Sequence, residues 1–579
     1  MAKVKKPTAN KVPKKPIGPD HLPMSLFAPG MTALHRAGLG GLACTLKYIE
    51  RAYQQGALSD DDVPGGPWDD GAAPWEIEVD QITLQFGEPE SAGEYLRKLF
   101  ALGFQIKEDL IYLPGQYTDL PPTLVARASL QKGIQLTYLQ HGPTCGSREG
   151  ERETMIEIDD KSYHFSHDVF TSYKHQGWFW LDRDEKSKET DTATGKRVKT
   201  GRRIKLHQTP SFVDDDGHLA AGQHAIDIKI LPGAMTRHDR FKQSAVFESS
   251  RGLICLHFAL VGSLTLPVNG ITAVLIIPDV TDLLEFANSR PVMTPRGLLE
   301  SRVGSGADAG LQLQVRLKAR NLGLTGCHAL TFRPTAWASQ QKSRVESLYV
   351  PILTGRDFDI YELAFSKLSP RIATKTVKES TGKGKAKLTK ERRESFRTDS
   401  VVRPIIAENL ARGRPWYSGF ARLMTAINPA TDTPYRNQIS FERKGLNDMV
   451  TDDRVWDDKG EALVVRAVHE AISFRLGQIR SETDGNRPLS QATKNRWDKF
   501  RERLRLDLCG AKTQGQVRFA LCDLFSRAGR LPSLTEGWQA LLPMLNERKW
   551  QLTRDLALLA CASYSGKNVD PDESSPETK

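Results

Sequence analysis

Cysteine is scarce in this sequence, and long hydrophobic runs are missing from it. The seven cysteines among 579 residues are odd in number, scattered and never in CxxC spacing, which excludes a disulfide framework and fits reduced thiols in a cytoplasm. No apolar stretch approaches the ~20 residues that span a bilayer, and the lysine- and proline-rich start lacks the apolar segment of a secretory signal. We therefore expect a cytoplasmic protein that does not enter a membrane.

Signature motifs of enzymes are also missing. The sequence contains no GxSxG, HExxH or Walker motif and no two-metal carboxylate signature, so we expect no catalytic residues and no cofactor. Two groups were candidates for a metal site: His164, His167, Asp168 and His175, and the acidic turn Asp214 to Asp216. Neither has the ligand number and spacing of a metal centre. We predict no metal, with a metal-dependent nuclease as an alternative.

The charge balance points to a polyanionic partner. The net charge is +11 and the isoelectric point is about 9.1, and clustered lysine and arginine are favoured where phosphates are neutralised. The basic runs lack the aromatic or leucine face of a membrane-surface helix, although each run alone also fits a solvated surface loop. The candidate nucleic-acid-binding residues in loops are Lys196, Arg197, Lys199, Arg202, Arg203, Lys205, Arg237, Arg240, Lys383, Lys385, Lys387, Arg392 and Arg393.

A further basic run lies on a predicted helix, TKNRWDKFRERLRLD. Its apolar residues Trp497, Phe500, Leu504 and Leu508 are spaced to form one buried stripe. The flanks carry the remaining nucleic-acid-binding candidates, Lys494, Arg496, Lys499, Arg501 and Arg503, followed by Arg505. An ordinary amphipathic helix explains the same pattern.

Periodicity predicts an α+β fold: a mixed N-terminal domain with long insertions, followed by an all-α C-terminal helical bundle of four or five helices. Within the mixed domain, LICLHFALVGSLTLPVNGITAVLIIPDV reads as two apolar strands around the turn Asn269-Gly270. The expected divisions are a basic disordered tail (1–22), the mixed domain (23–370), a basic flexible segment (371–403), the bundle (404–566) and an acidic disordered tail (567–579).

The stretch FAPGMTALHRAGLGGLA, residues 27–43, has three glycines in four positions but neither phosphate-loop spacing. Because apolar residues at helical spacing follow it, we interpret it as a closely packed helix start, in which small residues let two backbones approach. A related segment, LPGAMTRHDRF, also has a Pro-Gly that is followed closely by Met-Thr and then by histidine and arginine. His35, Arg36, Arg237 and His238 fit buried hydrogen-bonding roles better than base reading.

Three motifs in this order, FAPGMTALHRAGLGGL, LPGAMTRHDRF and W…TRDLALLACASYS, resemble the large subunit of the type I CRISPR Cascade surveillance complex, in the myxobacterial-subtype or type I-B-like branch. The resemblance covers about residues 26–564. It implies a non-catalytic subunit that reads the protospacer-adjacent motif in duplex DNA, helps to unwind it, stabilises the R-loop and recruits the helicase-nuclease, with a C-terminal bundle similar to the small subunit. A stand-alone nucleic-acid-binding regulatory protein is the alternative.

The resemblance also implies partners: crRNA, double-stranded target DNA and its displaced strand, the Cascade backbone and crRNA-end-binding subunits, the small subunit and the helicase-nuclease or a transposition machinery. Met424 and Met449 are candidate internal starts for a separate small subunit. The residues that read the motif cannot be transferred one by one, so they are chosen by chemistry from polar and basic loops. These candidates are Lys174, Gln176, Lys318, Arg320, Asn321, Gln340, Gln341 and Lys342.

Overall fold

The chain divides into two units whose segments alternate along the sequence. The first comprises residues 1–154, 165–301 and 319–346, and the second comprises residues 155–164, 302–318 and 347–579. The computed structural model describes residues 19–68, 71–139, 147–158, 161–173, 181–190, 197–206, 213–214, 216–225, 231–233, 247–268, 271–317, 322–337, 340–381, 388–428 and 432–566.

The first unit mixes helices with small antiparallel sheets, as expected for an α+β chain. Its helices are α1 (Ala33–Gln54), α2 (Ala92–Gly103), α3 (Leu124–Thr137), α4 (Ser250–Gly262) and α5 (Leu283–Met293). Its strands are β1 (His21–Ser25), β2 (Trp75–Ile77), β3 (Gln81–Gln85), β4 (Gln105–Lys107), β5 (Leu110–Tyr112), β6 (Ser147–Ile158), β7 (Lys161–Ser172), β8 (Leu181–Thr190), β9 (Arg197–Leu206), β10 (Gln223–Ala225), β11 (Phe247–Ser249), β12 (Leu264–Pro267), β13 (Ala273–Val280), β14 (Leu324–Trp337) and β15 (Gln340–Pro351). The tip of the β6–β7 hairpin and the end of β15 belong to the second unit.

The central sheet of this unit joins β12, β13 and β14 in antiparallel pairs. Leu264 lies opposite Ile276, and Ile276 lies opposite Ala329. The β13 residues Ala273, Val274, Leu275 and Ile276 are fully buried, as expected for a central strand covered on both faces. The segment 253–262, which we predicted to be a strand, is instead the buried helix α4. Periodicity cannot separate the two when every side of the segment is apolar.

Helices α1 and α4 pack at backbone contact through glycine. A Cβ added at Gly38 would lie 1.8 Å from the carbonyl oxygen of Cys255, and one added at Gly41 would lie 2.3 Å from that of Phe258. From the other side, a Cβ on Gly262 would lie 1.7 Å from the carbonyl oxygen of Ala37. The interpretation of this stretch as a closely packed helix start is therefore confirmed.

The histidine and arginine of the same stretch hold α1 in place. Thr32 caps the helix by accepting from the backbone N–H of His35, whose side chain lies back against Thr32. The Arg36 guanidinium binds the Asp279 carboxylate on β13, with 3.0 Å between Nε and Oδ1. Both side chains are thus used within the fold, as the expected hydrogen-bonding roles require.

A fully buried arginine closes the C-terminal end of α4. Arg290 donates to the carbonyl oxygens of Gly262 at 3.1 Å and Ser263 at 2.6 Å, and to the Thr294 hydroxyl at 2.8 Å. These carbonyls carry the partial negative charge of a helix C-terminus, which stabilises a cation there. Burial nevertheless lowers the pKa of Arg290 to about 10.

The second unit is mainly helical. Its helices are α6 (Gly306–Arg316), α7 (Gly355–Lys367), α8 (Arg403–Ala411), α9 (Phe420–Thr425), α10 (Tyr435–Val450), α11 (Lys459–Thr483), α12 (Gln491–Gly510), α13 (Gln514–Ala528), α14 (Pro532–Met544) and α15 (Trp550–Ser563). Its strands are β16 (Arg371–Thr381), β17 (Leu388–Thr398), β18 (Ile427–Asn428) and β19 (Thr433–Pro434). Across the described residues, every helix is too short or too polar to cross a bilayer.

Within the basic segment 371–403, β16 and β17 pair antiparallel along their whole length, from Arg371 opposite Thr398 to Thr381 opposite Leu388. The expected number of four or five helices in the bundle is too low, because the described part of residues 403–563 contains eight, α8 to α15.

Helix α15, which carries the closing motif TRDLALLACASYS, is the central helix of the bundle. Leu556, Leu558 and Leu559 are fully buried, and helices α9 to α14 all contact it. The Asp555 carboxylate caps α9 by accepting from the backbone N–H groups of Gly419 and Ala421 at 2.7 and 2.9 Å. This motif therefore has an architectural role.

His469 should make the bundle less stable as the pH falls. Its Nε2 lies 3.0 Å from the carbonyl oxygen of Ala560, and burial lowers its pKa from 6.5 to about 4 although this hydrogen bond opposes the shift. The unfolded chain therefore binds a proton more readily, so the stability present above pH ~6.5 is lost as the pH falls towards ~4, by up to roughly 3 kcal/mol. Urea unfolding at several pH values should show this loss, and His469→Gln should reduce it. An unchanged pH dependence in that variant would contradict the assignment.

Candidate nucleic-acid interface

Helix α12 presents the basic run that the sequence singled out. Ser490 caps it by accepting from the backbone N–H of Thr493 at 3.2 Å. Leu504 and Leu508 are buried, and the half-buried Trp497 donates from Nε1 to the carbonyl oxygen of Leu476 at 2.9 Å. The predicted apolar stripe thus faces the bundle, and the basic residues occupy the remaining surface.

The basic residues of α12 do not share one face. Arg496 pairs with Glu482 at 2.9 Å, and Arg503 lies 3.9 Å from the carboxylate of Asp507. Lys494 and Lys499 are exposed and form no ion pair within the part of the chain that the structure describes. Arg501 lines a groove beside α12.

This groove, called here the α10–α12 groove, is lined by α10, α12 and the end of α15 and has a volume of about 530 Å³. Its floor is apolar and includes the buried side chains Ile439, Ile472 and Leu504. Its charged lining consists of Arg436, Arg443, Asp498, Arg501, Glu502 and Arg505. Four arginines face two carboxylates, which leaves the groove with two net positive charges.

One arginine of the groove already binds one of its two carboxylates. Arg505 is almost fully buried and donates to both carboxylate oxygens of Glu502, at 2.9 and 2.6 Å. The hydrogen bonds from Arg505 lower the pKa of Glu502, with burial opposing them. Glu502 is therefore an anion held by Arg505, and it is not a candidate general acid.

The mouth of the groove is aromatic. The Phe441 side chain is 52% exposed, and the Arg501 guanidinium lies 5.9 Å from the centre of the Tyr564 ring, within cation–π range. Cys561 also lines the groove, but burial raises the pKa of its thiol to about 12, so it remains protonated and poorly nucleophilic. The chemistry on offer is binding of an anion with an aromatic face.

Most other predicted contact residues fall where side chains are not described. For Arg197, Lys199, Arg202, Arg203 and Lys205 only the backbone is described, on β9. There the register places the Cα atoms of Arg202, Arg203 and Lys205 opposite those of Glu185, Asp184 and Asp182 on β8. The run without acids therefore pairs with a strand that carries four acidic and three basic residues. Arg392 and Arg393 lie on β17, and Gln340, Gln341 and Lys342 lie on β15. Outside the described residues are Lys174, Gln176, Lys196, Arg237, Arg240, Lys318, Arg320, Asn321, Lys383, Lys385 and Lys387.

The two groups considered for metal binding have structural contacts. The Asp168 carboxylate accepts from Gln135 at 2.7 Å, while His167 is buried and His175 lies outside the described residues. Asp214, Asp216 and His218 do place ligand atoms within 4.8 Å of one another. Asp214 Oδ1, however, accepts from the backbone N–H groups of Asp216 and His218 at 3.1 and 2.9 Å, which is the geometry of an aspartate-stabilised turn.

Sequence reasoning missed the α10 side of the groove, including Arg436, Phe441 and Arg443. The signal was present: the buried residues Met449 and Val450 follow Leu446 by three and four positions, and Leu446 follows Ile439 by seven, as on an amphipathic helix.

A two-unit α+β chain, ending in a helical bundle with a cationic groove, is thus the class of protein that the fold and this surface define. Residues 23–257 match the DevT N-terminal domain, and residues 452–579 match the DevT C-terminal domain. The chain is also 32% identical to the CRISPR-associated protein Cas8a1/Csx13 of Myxococcus xanthus (strain DK1622), over 97% of this chain and 91% of that protein. The chain belongs to this Cas8a1/Csx13 family, and the resemblance inferred from three motifs is confirmed. Its role is CRISPR-associated.

Proposed function

We propose that the chain is the non-catalytic large subunit of a crRNA-guided type I Cascade complex. It recognises the protospacer-adjacent motif in duplex DNA, helps to separate the strands, stabilises the R-loop and recruits the helicase-nuclease or a transposition machinery. The observation that carries this proposal is the match to Cas8a1/Csx13 over nearly the full length of both chains.

The surface of the second unit supports the R-loop part of the proposal. Lys494 and Lys499 are exposed on α12, and Arg501 opens into a groove with net positive charge. Strand holding requires backbone neutralisation and aromatic surfaces, and it requires no catalytic group. On the proposed assignment the bundle contacts the phosphates of the displaced strand.

Motif reading is assigned to polar and basic residues of the first unit and its borders. Such residues can donate to purine acceptors or accept from base amino groups in the major groove. The proposed readers are Lys174, Gln176, Lys318, Arg320, Asn321, Gln340, Gln341 and Lys342. The crRNA supplies the remaining sequence specificity by base pairing with the target strand.

Co-expression of a tagged chain with its genomic neighbours should yield a complex that contains a uniform guide RNA and several copies of a backbone subunit. Gel analysis and RNA sequencing of the purified material measure both. In the same sample, an antibody against the C-terminus shows whether a shorter product begins at Met424 or Met449. Alanine substitution of the proposed readers should then weaken duplex target binding without releasing the guide RNA.

A lone chain without RNA would overturn the proposal and favour the stand-alone regulatory protein. Tight and sequence-specific binding of the isolated chain to DNA would also favour the stand-alone regulatory protein, because a Cascade subunit depends on assembly and on its guide for specificity.

A further inference from the structure

The α10–α12 groove contains two arginines that the fold does not use as hydrogen-bond donors. Arg436 is exposed on α10, and Arg501 rests against the Tyr564 ring. Neither donates a hydrogen bond or forms an ion pair within the described residues, whereas Arg505 beside them is bound to Glu502. Both guanidiniums are therefore available to an anion that enters the groove.

An exposed phenylalanine lies at the mouth of the same groove. Phe441 is 52% exposed although it lines a cavity whose floor is apolar. A ring in this position gains most from a flat apolar partner that stacks on it. An isolated phosphate would leave the ring uncovered, so the ligand should combine an anion with an aromatic face.

A nucleotide in a single strand has both features. Its base stacks on an aromatic side chain while arginines contact the backbone, and this combination is the common mode of single-strand binding. In a duplex the faces of the bases are already stacked, and only an unpaired base can enter a pocket. The groove volume of about 530 Å³ lies in the range of small-ligand pockets, roughly 300–1,000 Å³.

The acidic residues of the groove restrict where the phosphate can lie. Glu502 is neutralised by Arg505, but Asp498 is exposed on the same wall and repels a phosphate. The backbone is therefore favoured on the side of Arg436 and Arg443. This leaves the Asp498 carboxylate beside the base, where it can accept from a base N–H group.

We propose that the α10–α12 groove holds an unstacked base of a single DNA strand on Phe441, with its phosphate near Arg436, and so selects single-stranded over duplex DNA. The inference rests on the proposed function for the source of that strand. The groove itself is argued from the second unit alone.

The test uses the full-length chain and the purified complex, with fluorescently labelled oligo(dT), oligo(U) and a DNA duplex of equal length as probes. Phe441→Ala should weaken single-strand binding roughly ten- to a hundredfold and leave duplex binding within about twofold. Phe474→Ala is the matched control, because Phe474 is 46% exposed on α11 outside the groove. Phe441→Trp should retain the affinity, and Arg436→Gln should reduce the slope of log affinity against log salt by about one.

Equal effects of Phe441→Ala and Phe474→Ala would overturn the inference, as would equal losses for single-stranded and duplex probes. A loss confined to oligo(U) would reassign the ligand to RNA and overturn the DNA assignment. Thermal unfolding of each variant shows whether the fold is retained. If the complex assembles but Phe441→Ala has no effect, only this inference fails. If no complex forms while single-strand selectivity persists, only the proposed function fails.

Discussion

Gly38→Ala is expected to unfold the first unit, although it adds one methyl group. The new Cβ would lie 1.8 Å from the carbonyl oxygen of Cys255, so α1 and α4 would have to separate. Alanine forms helices better than glycine by about 1 kcal/mol, so helix propensity alone predicts a more stable protein. A loss of stability would therefore have to come from the close approach of the two helices. We expect a loss of at least about 4 kcal/mol, measured as soluble yield and as urea unfolding.

The matched control is Gly477→Ala on α11, where an added Cβ would meet nothing within 4 Å. That change should stabilise the chain by about 0.5–1 kcal/mol. Gly262→Ala should resemble Gly38→Ala, because its Cβ would approach the carbonyl oxygen of Ala37 from the other helix. Wild-type stability of either α1–α4 variant would show that the helices can move apart at little cost.

The packing of α1 against α4 also shows which parts of the fold could be predicted from the sequence and which could not. The three glycines within residues 38–41 indicated close packing, because few other roles suit small residues at helical spacing. Their partner α4 was mistaken for a strand, since nearly all of its side chains are buried and its apolar pattern has no period. A strand–helix distinction in such a segment depends on neighbours that local sequence does not identify.

The groove shows which features of the candidate site could be predicted from the sequence and which could not. The spacing of the apolar residues on α12 correctly predicted which side faces the bundle, so the basic residues were expected on its flanks. It could not indicate that Arg496 and Arg503 pair with Glu482 and Asp507, nor that α10 supplies the opposite wall. That wall comes from residues more than fifty positions earlier in the chain, and only tertiary packing brings it to α12.

Asp308 and Arg403 form the buried ion pair with the largest expected contribution to the second unit. The Asp308 carboxylate accepts from Arg403 at 2.9 and 3.1 Å, from the Tyr361 hydroxyl at 2.7 Å and from the backbone N–H of Gly304 at 2.9 Å. Burial is the largest influence on the pKa of Asp308 and would raise it, but the charge and hydrogen bonds of Arg403, together with the hydrogen bonds from Gly304 and Tyr361, outweigh burial and lower the pKa. Helices α6, α7 and α8 are joined by this one carboxylate.

Removing one partner of this pair should cost more than removing both. Asp308→Asn leaves the Arg403 cation buried without its counter-ion, and Arg403→Met leaves the carboxylate in the same position, so each should destabilise the unit by about 3–5 kcal/mol. The double variant leaves no unpaired charge and should lose clearly less than the sum of the two. Urea unfolding of the four proteins completes the cycle, with Arg454→Met as a control, because the exposed Arg454–Asp452 pair should contribute less than about 1 kcal/mol. Additive losses would mean that the two charges are stabilised independently by their other contacts, and that the carboxylate does not depend on Arg403 for its burial.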